Sequence, residues 1–165
     1  MKKLLSTICM LALALSMSAQ ETADNAWIVG EQESSFPGEM IQYAVCPATK
    51  AAEGKDGQIT VSLNAMIFRG VTKYFFSSKG DNFTVDNLIT QRILVKVDDE
   101  KSVMFPLTGN NNYTSNTLTF DSSYRTKFRN MLKKGKKCHI TVEFAENDQK
   151  EFDFNIEGLP ALFLK

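Results

Sequence analysis

Histidine is almost missing from this 165-residue chain: His139 stands alone. An activated nucleophile needs a base within hydrogen-bond reach, most often a histidine. The neighbour Cys138 does not supply a Cys-His pair, because successive side chains of a strand point to opposite faces. Cysteine is scarce too. Structural zinc takes three or four His and Cys ligands, and beyond the first 20 residues only Cys46, Cys138 and His139 remain. The acidic turn Asp98-Asp99-Glu100 lacks the alternating acids around a glycine that a calcium loop uses. No glycine-rich phosphate cradle of the GxGxxG or GxxxxGK kind occurs. The sequence therefore calls for no metal, no cofactor and no catalytic constellation.

An excess of either charge is also lacking. The chain carries 19 basic and 19 acidic side chains, and setting aside Lys2 and Lys3 leaves a balance of −2. A nucleic-acid partner would select a basic stripe with interleaved aromatics. The short Lys133-Lys134-Gly135-Lys136-Lys137 run reads instead as the solvated end of a helix.

Long apolar runs are missing with one exception, at the N-terminus. Met1-Lys2-Lys3, the apolar stretch Leu4 to Leu15 and the small set Ser16-Met17-Ser18-Ala19-Gln20 follow the order of a secretory signal, with cleavage near Ala19. A membrane span needs roughly 20 consecutive apolar residues, so this segment is read as a leader, and no transmembrane segment is expected in the mature chain. Cys9 lies within it. A lipoprotein signal would place Leu three positions before that cysteine and a small residue just before it, where Ser6 and Ile8 stand. The expected organisation is a leader over 1–20, an N-terminal extension over 21–39 and a single domain over 40–165, periplasmic or secreted. In an oxidising compartment Cys46 and Cys138 are candidates for one disulfide; two separately buried thiols are the other reading.

What is abundant is period-two alternation, the mark of strands with one buried face. Met40 to Cys46 reads as a strand that Pro47 ends. Gln58 to Phe68 is a long one, continuously apolar from Ala65 as if covered on both faces. Gly70 breaks it before Val71 to Phe76. Arg92 to Val97 and Ser102 to Phe105 form a hairpin about Asp98-Asp99-Glu100-Lys101, with Pro106 at its end. His139 to Phe144 and Glu151 to Ile156 form a second. One helix interrupts the pattern over 122–134: Asp121 or Ser122 caps it, Tyr124, Phe128, Met131 and Leu132 share a face, and Gly135 stops it. The fold class is mainly β, an antiparallel β-sandwich or flattened barrel with one short helix.

Aromatic side chains supply the candidate ligand-binding residues: Tyr74, Phe75, Phe76 and Phe83. Along Tyr74-Phe75-Phe76 the side chains alternate faces, so at least one ring points away from the core unless both faces are covered. An exposed ring on a sheet face is what a partner surface uses. The loops at Asp98 and Asn110 are further candidates for an exposed face.

From Arg92 onward the order of features resembles the invasion-associated locus B family of exported bacterial proteins: a strand ending in Val97-Asp98-Asp99, an answering strand through Phe105, a short helix ending in Leu132-Lys133-Lys134-Gly135-Lys136-Lys137, and a closing hairpin that runs out as Phe152-Asp153-Phe154-Asn155-Ile156-Glu157-Gly158-Leu159. The resemblance covers less than half of the chain. Where members carry a cysteine pair, this sequence has Gly109-Asn110-Asn111-Asn112. The resemblance implies a periplasmic or surface β-sandwich associated with host-cell interaction and without enzyme activity. The expected function is non-catalytic binding of a protein or glycan at the envelope or host surface. The alternatives are a small envelope hydrolase using carboxylates and a structural subunit of an envelope assembly.

Overall fold

Alternating burial along the chain translates directly into strands. The computed structural model describes residues 27–55, 57–86, 88–111, 113–144 and 148–165; the leader lies outside them. In chain order the elements are β1 (Ile28–Glu33), β2 (Met40–Pro47), β3 (Ala52–Gly54), β4 (Gly57–Phe68), β5 (Val71–Lys79), β6 (Phe83–Thr84), β7 (Thr90–Val97), β8 (Val103–Thr108), β9 (Thr114–Ser115), β10 (Thr117–Phe120), α1 (Ser122–Lys134), β11 (Lys137–Glu143), β12 (Gln149–Asn155) and a short 3-10 helix (Ala161–Leu164). One antiparallel sheet of ten strands runs β1-β2-β4-β5-β10-β8-β7-β11-β12, with β3 beside β4; β6 and β9 make a separate pair. The fold is mainly β, antiparallel and not closed into a barrel, with one α-helix, and is consistent with a sandwich.

The sheet bends over on itself. Phe76 on β5 and Phe154 on β12 are far apart in strand order, yet their ring centroids lie 5.8 Å apart. The long edge of the bend is sealed by short contacts and not by a ladder: the Thr49 amide donates to the Asp153 carbonyl at 2.8 Å. Helix α1 fills the inside. Phe128 stacks on Phe120 at 4.0 Å and meets Tyr74, Phe76 and Phe105 edge-on at 5.6, 6.3 and 6.0 Å. Aromatic pairs in such geometry add about 0.5–1.5 kcal/mol each beyond their area.

Turn chemistry explains the hairpins. Arg69 and Gly70 both have left-handed backbone, φ 49° and 74°, the two-residue turn whose twist matches paired strands, and Phe68 accordingly faces Val71. The β7-β8 and β11-β12 hairpins hold the expected pairings, Ile93 with Phe105 and His139 with Asp153. Strand β8, however, continues through Pro106 to Thr108. Proline lacks an N–H, and the ladder to β10 starts only at Leu107, so one edge at Pro106 has no partner to lose.

Two ends differ from the sequence reading. Gly135 follows α1 with extended backbone, φ −91°, and no left-handed turn. What requires glycine is closeness: an added Cβ would collide with Val97 Cγ1 and lie 3.0 Å from Ile156 Cδ1. At the N-terminal side, Ile28 to Glu33, read in sequence as part of an extension, pairs with β2 from Ile28 against Val45 to Glu33 against Met40, and Trp27 is buried in the core.

Candidate binding surfaces

Of the four aromatic candidates, three belong to the core. Tyr74, Phe76 and Phe83 are at most 1% exposed. Strand β5 turns Tyr74 and Phe76 toward α1, where the Tyr74 hydroxyl donates to the Phe163 carbonyl; burial pushes that phenol up to about 12. Phe83 packs on Phe144 at 4.9 Å. Their physical role is packing, because the helix and the folded-over half of the sheet cover the inner face. Phe75, between them in sequence, takes the outer face and is half-buried.

There it has company. Alternation places Val45 of β2, Asn64 of β4 and Phe75 in one cross-strand row, Tyr43, Met66 and the exposed Lys73 in the next, and Phe68 with Val71 beyond. Tyr43, Val45, Met66, Phe68 and Phe75 are half-buried, and Val71 is exposed. At the far corner Phe36, half exposed, stacks with Phe68 at 6.2 Å. The Arg69 guanidinium lies over both rings, 4.7 and 5.1 Å from their centroids, and is gripped by both Glu39 oxygens at 2.9 Å. That pairing holds the Glu39 carboxyl below its ordinary range. The outcome is an outer face rich in apolar and aromatic side chains, with Asn64 and Lys73 among them, ending in a ring-stacked Arg69–Glu39 ion pair. Sequence reasoning reached Phe75 through alternation. It missed Tyr43 and Met66, whose grouping with Phe75 depends on register across three strands.

The cysteines are both free and buried. Cys46 donates its Sγ–H to the Asn155 carbonyl at 3.2 Å, on the edge of β12 that also receives Thr49. Cys138 lies in β11, opposite Phe154. The disulfide considered from sequence is not formed in this structure, which holds the other reading, two buried thiols. Burial raises Cys46 to about 12 and drives Cys138 still further up, so neither is a poised nucleophile.

The candidate loops prove to be braces. Asp98, with left-handed backbone (φ 49°), accepts the Lys136 amide at 3.1 Å and the Lys137 amide at 2.8 Å, tying the β7-β8 turn to the end of α1. Ser115, 1% exposed, donates to the Asn110 side chain and receives the Asn110 amide at 2.9 Å.

A second concavity, a groove of about 610 Å³, lies on the other half of the sheet and is lined by Leu94, Lys96, Asp98, Ser102, His139 and Asp153 among others. The His139 ring contacts Asp153 through Nδ1 at 2.9 Å and approaches Glu151 through Nε2 at 4.0 Å. Cys138 also lines the groove but is 1% exposed. Among the described residues no cluster of three His, Cys, Asp or Glu side chains is arranged to hold a metal ion, and no helix is long and apolar enough to cross a membrane. Comparison of the chain with family models, with curated proteins and with solved structures finds no match.

Proposed function

We propose that this is an exported protein, periplasmic or secreted after removal of the leader, that acts by binding a partner protein through the outer face of β2, β4 and β5. The observation that carries this reading is Phe75: it points outward on a face that also carries Val45, Tyr43, Met66 and Phe68, with Asn64 and Lys73 among them. Tyr, Phe, Met and Arg are the side chains over-represented at the centres of protein interfaces, and Arg69 with its two rings completes that set.

A photo-crosslinking phenylalanine at position 75 tests this in the exported chain. The expected outcome is an adduct that is lost in a Met66→Lys variant of unchanged melting temperature and does not form from position 133 on α1. An adduct that survives Met66→Lys refutes the reading.

One observation favours a hydrolytic alternative: the two carboxylates of Asp153 and Glu151 bracket His139 beside the groove. Both are about 70% exposed, whereas acid-base pairs with separated roles are set apart by burial. Replacing His139 with Gln discriminates: loss of partner binding would oppose the outer-face reading, and loss of a hydrolytic activity would favour the alternative.

A further inference from the structure

Among the described residues the sheet ends on β1. Along Ile28–Glu33 all six residues pair with β2 without a bulge; among the described residues no strand pairs with the opposite edge. Edges of natural sheets are ordinarily blunted by charged side chains, Pro or bulges; β1, with the sequence Ile-Val-Gly-Glu-Gln-Glu, has no Pro and no bulge, and its only charges are the carboxylates of Glu31 and Glu33. Its charge is of one sign. Glu31 accepts the Gln42 side-chain amide at 2.7 Å and Glu33 the Gly38 amide at 3.2 Å, so both carboxylates have neutral partners, and the neighbouring Arg69 is occupied by Glu39. On the outer face Tyr43 leans over Gly30, its Cζ 2.6 Å from where a Cβ would stand, which carries the aromatic surface up to the edge itself.

We propose that β1 receives an extended segment of the partner protein as an added antiparallel or parallel strand, with Lys or Arg at alternate positions facing Glu31 and Glu33 and apolar residues between them facing Ile28 and Tyr43. Strand addition supplies main-chain hydrogen bonds for affinity, and alternate side chains supply specificity. The occupant is a basic segment and not a second copy of this chain, because a second β1 brings two further carboxylates to the seam and no Lys or Arg to meet them. This inference rests on the outer-face reading and names the partner's chemistry at its margin.

The probes are two capped octapeptides, one alternating Lys and Val and one alternating Glu and Val, titrated into the leader-free chain. The Lys peptide should bind at least about tenfold more tightly and slow amide hydrogen exchange in β1. In Glu31→Lys/Glu33→Lys the preference should invert. In Glu31→Gln/Glu33→Gln, which keeps the acceptors for Gln42 and Gly38, it should vanish. No binding of either peptide, equal binding of both by the native chain, exchange slowed away from β1, or self-association through this edge would each overturn the proposal. A crosslink from position 75 that is unaffected by Glu31→Lys/Glu33→Lys would sink the edge proposal and leave the outer-face reading standing; loss of dependence on Met66 would remove the latter.

Discussion

The indole Nε1–H of Trp27 donates to the carbonyl of Ile156, 3.0 Å away and 129 positions along the chain. It stands where β1 leaves the side of β2 and the end of β12 takes its place, so one side chain pins the N-terminal strand to the last strand. Trp27→Phe keeps most of the apolar bulk and orphans that carbonyl. Leaving a buried acceptor unpaired costs about 1–3 kcal/mol, and urea unfolding followed by circular dichroism should show a loss of that size. Trp27 is the one tryptophan of the chain, so its fluorescence in the native protein reports this seam directly.

Asp98 braces two amides from a left-handed backbone position. Asp98→Ala removes both hydrogen bonds and strains the turn, whereas Asp98→Asn tolerates the backbone and keeps an acceptor. Chemical denaturation should place the alanine variant about 2–4 kcal/mol below the native protein and the asparagine variant between the two.

Gly135 is held by Val97. The collision that a Cβ would make with Val97 Cγ1 should cost Gly135→Ala about 1–3 kcal/mol, the usual range for overpacking. A double-mutant cycle with Val97→Ala should recover part of that loss. Additive effects would show that the helix end needs glycine for another reason.

Alkali should destabilise this protein early. Cys46 rises from 9.0 to about 12 and Tyr74 from 10.0 to about 12 on folding, both chiefly through burial. Each folded-state value lies above its unfolded one, so the stability they contribute is intact below pH 9 and declines as pH rises toward 12. In that window each such group adds a slope of roughly 1.4 kcal/mol per pH unit. Denaturation series from pH 7 upward should bend down from near pH 9, and Cys46→Ala should flatten the first part of the bend.

Much of the strand pattern was legible because period two is a local property. The two large hairpins, the stop at Pro47 and the helix over 122–134 all follow from neighbours in sequence. Strand β1 was not legible: after Ile28 and Val29 its residues are Gly-Glu-Gln-Glu, and it is a strand through its register with β2. The outward ring of the candidate site could be foreseen as one member of Tyr74-Phe75-Phe76, but alternation does not say which face is the core.

The sequence by itself determined the mainly β antiparallel character and the place of the helix, since these depend on composition and short-range periodicity. Tertiary structure decided which side of β5 α1 fills, hence that Tyr74 and Phe76 are packing while Phe75 joins Tyr43 and Met66. It decided too that Cys46 and Cys138 are buried as free thiols, and that among the described residues β1 ends the strand order with an acidic edge. These are matters of pairing between segments tens of residues apart, and no window along the chain encodes which segment another will meet.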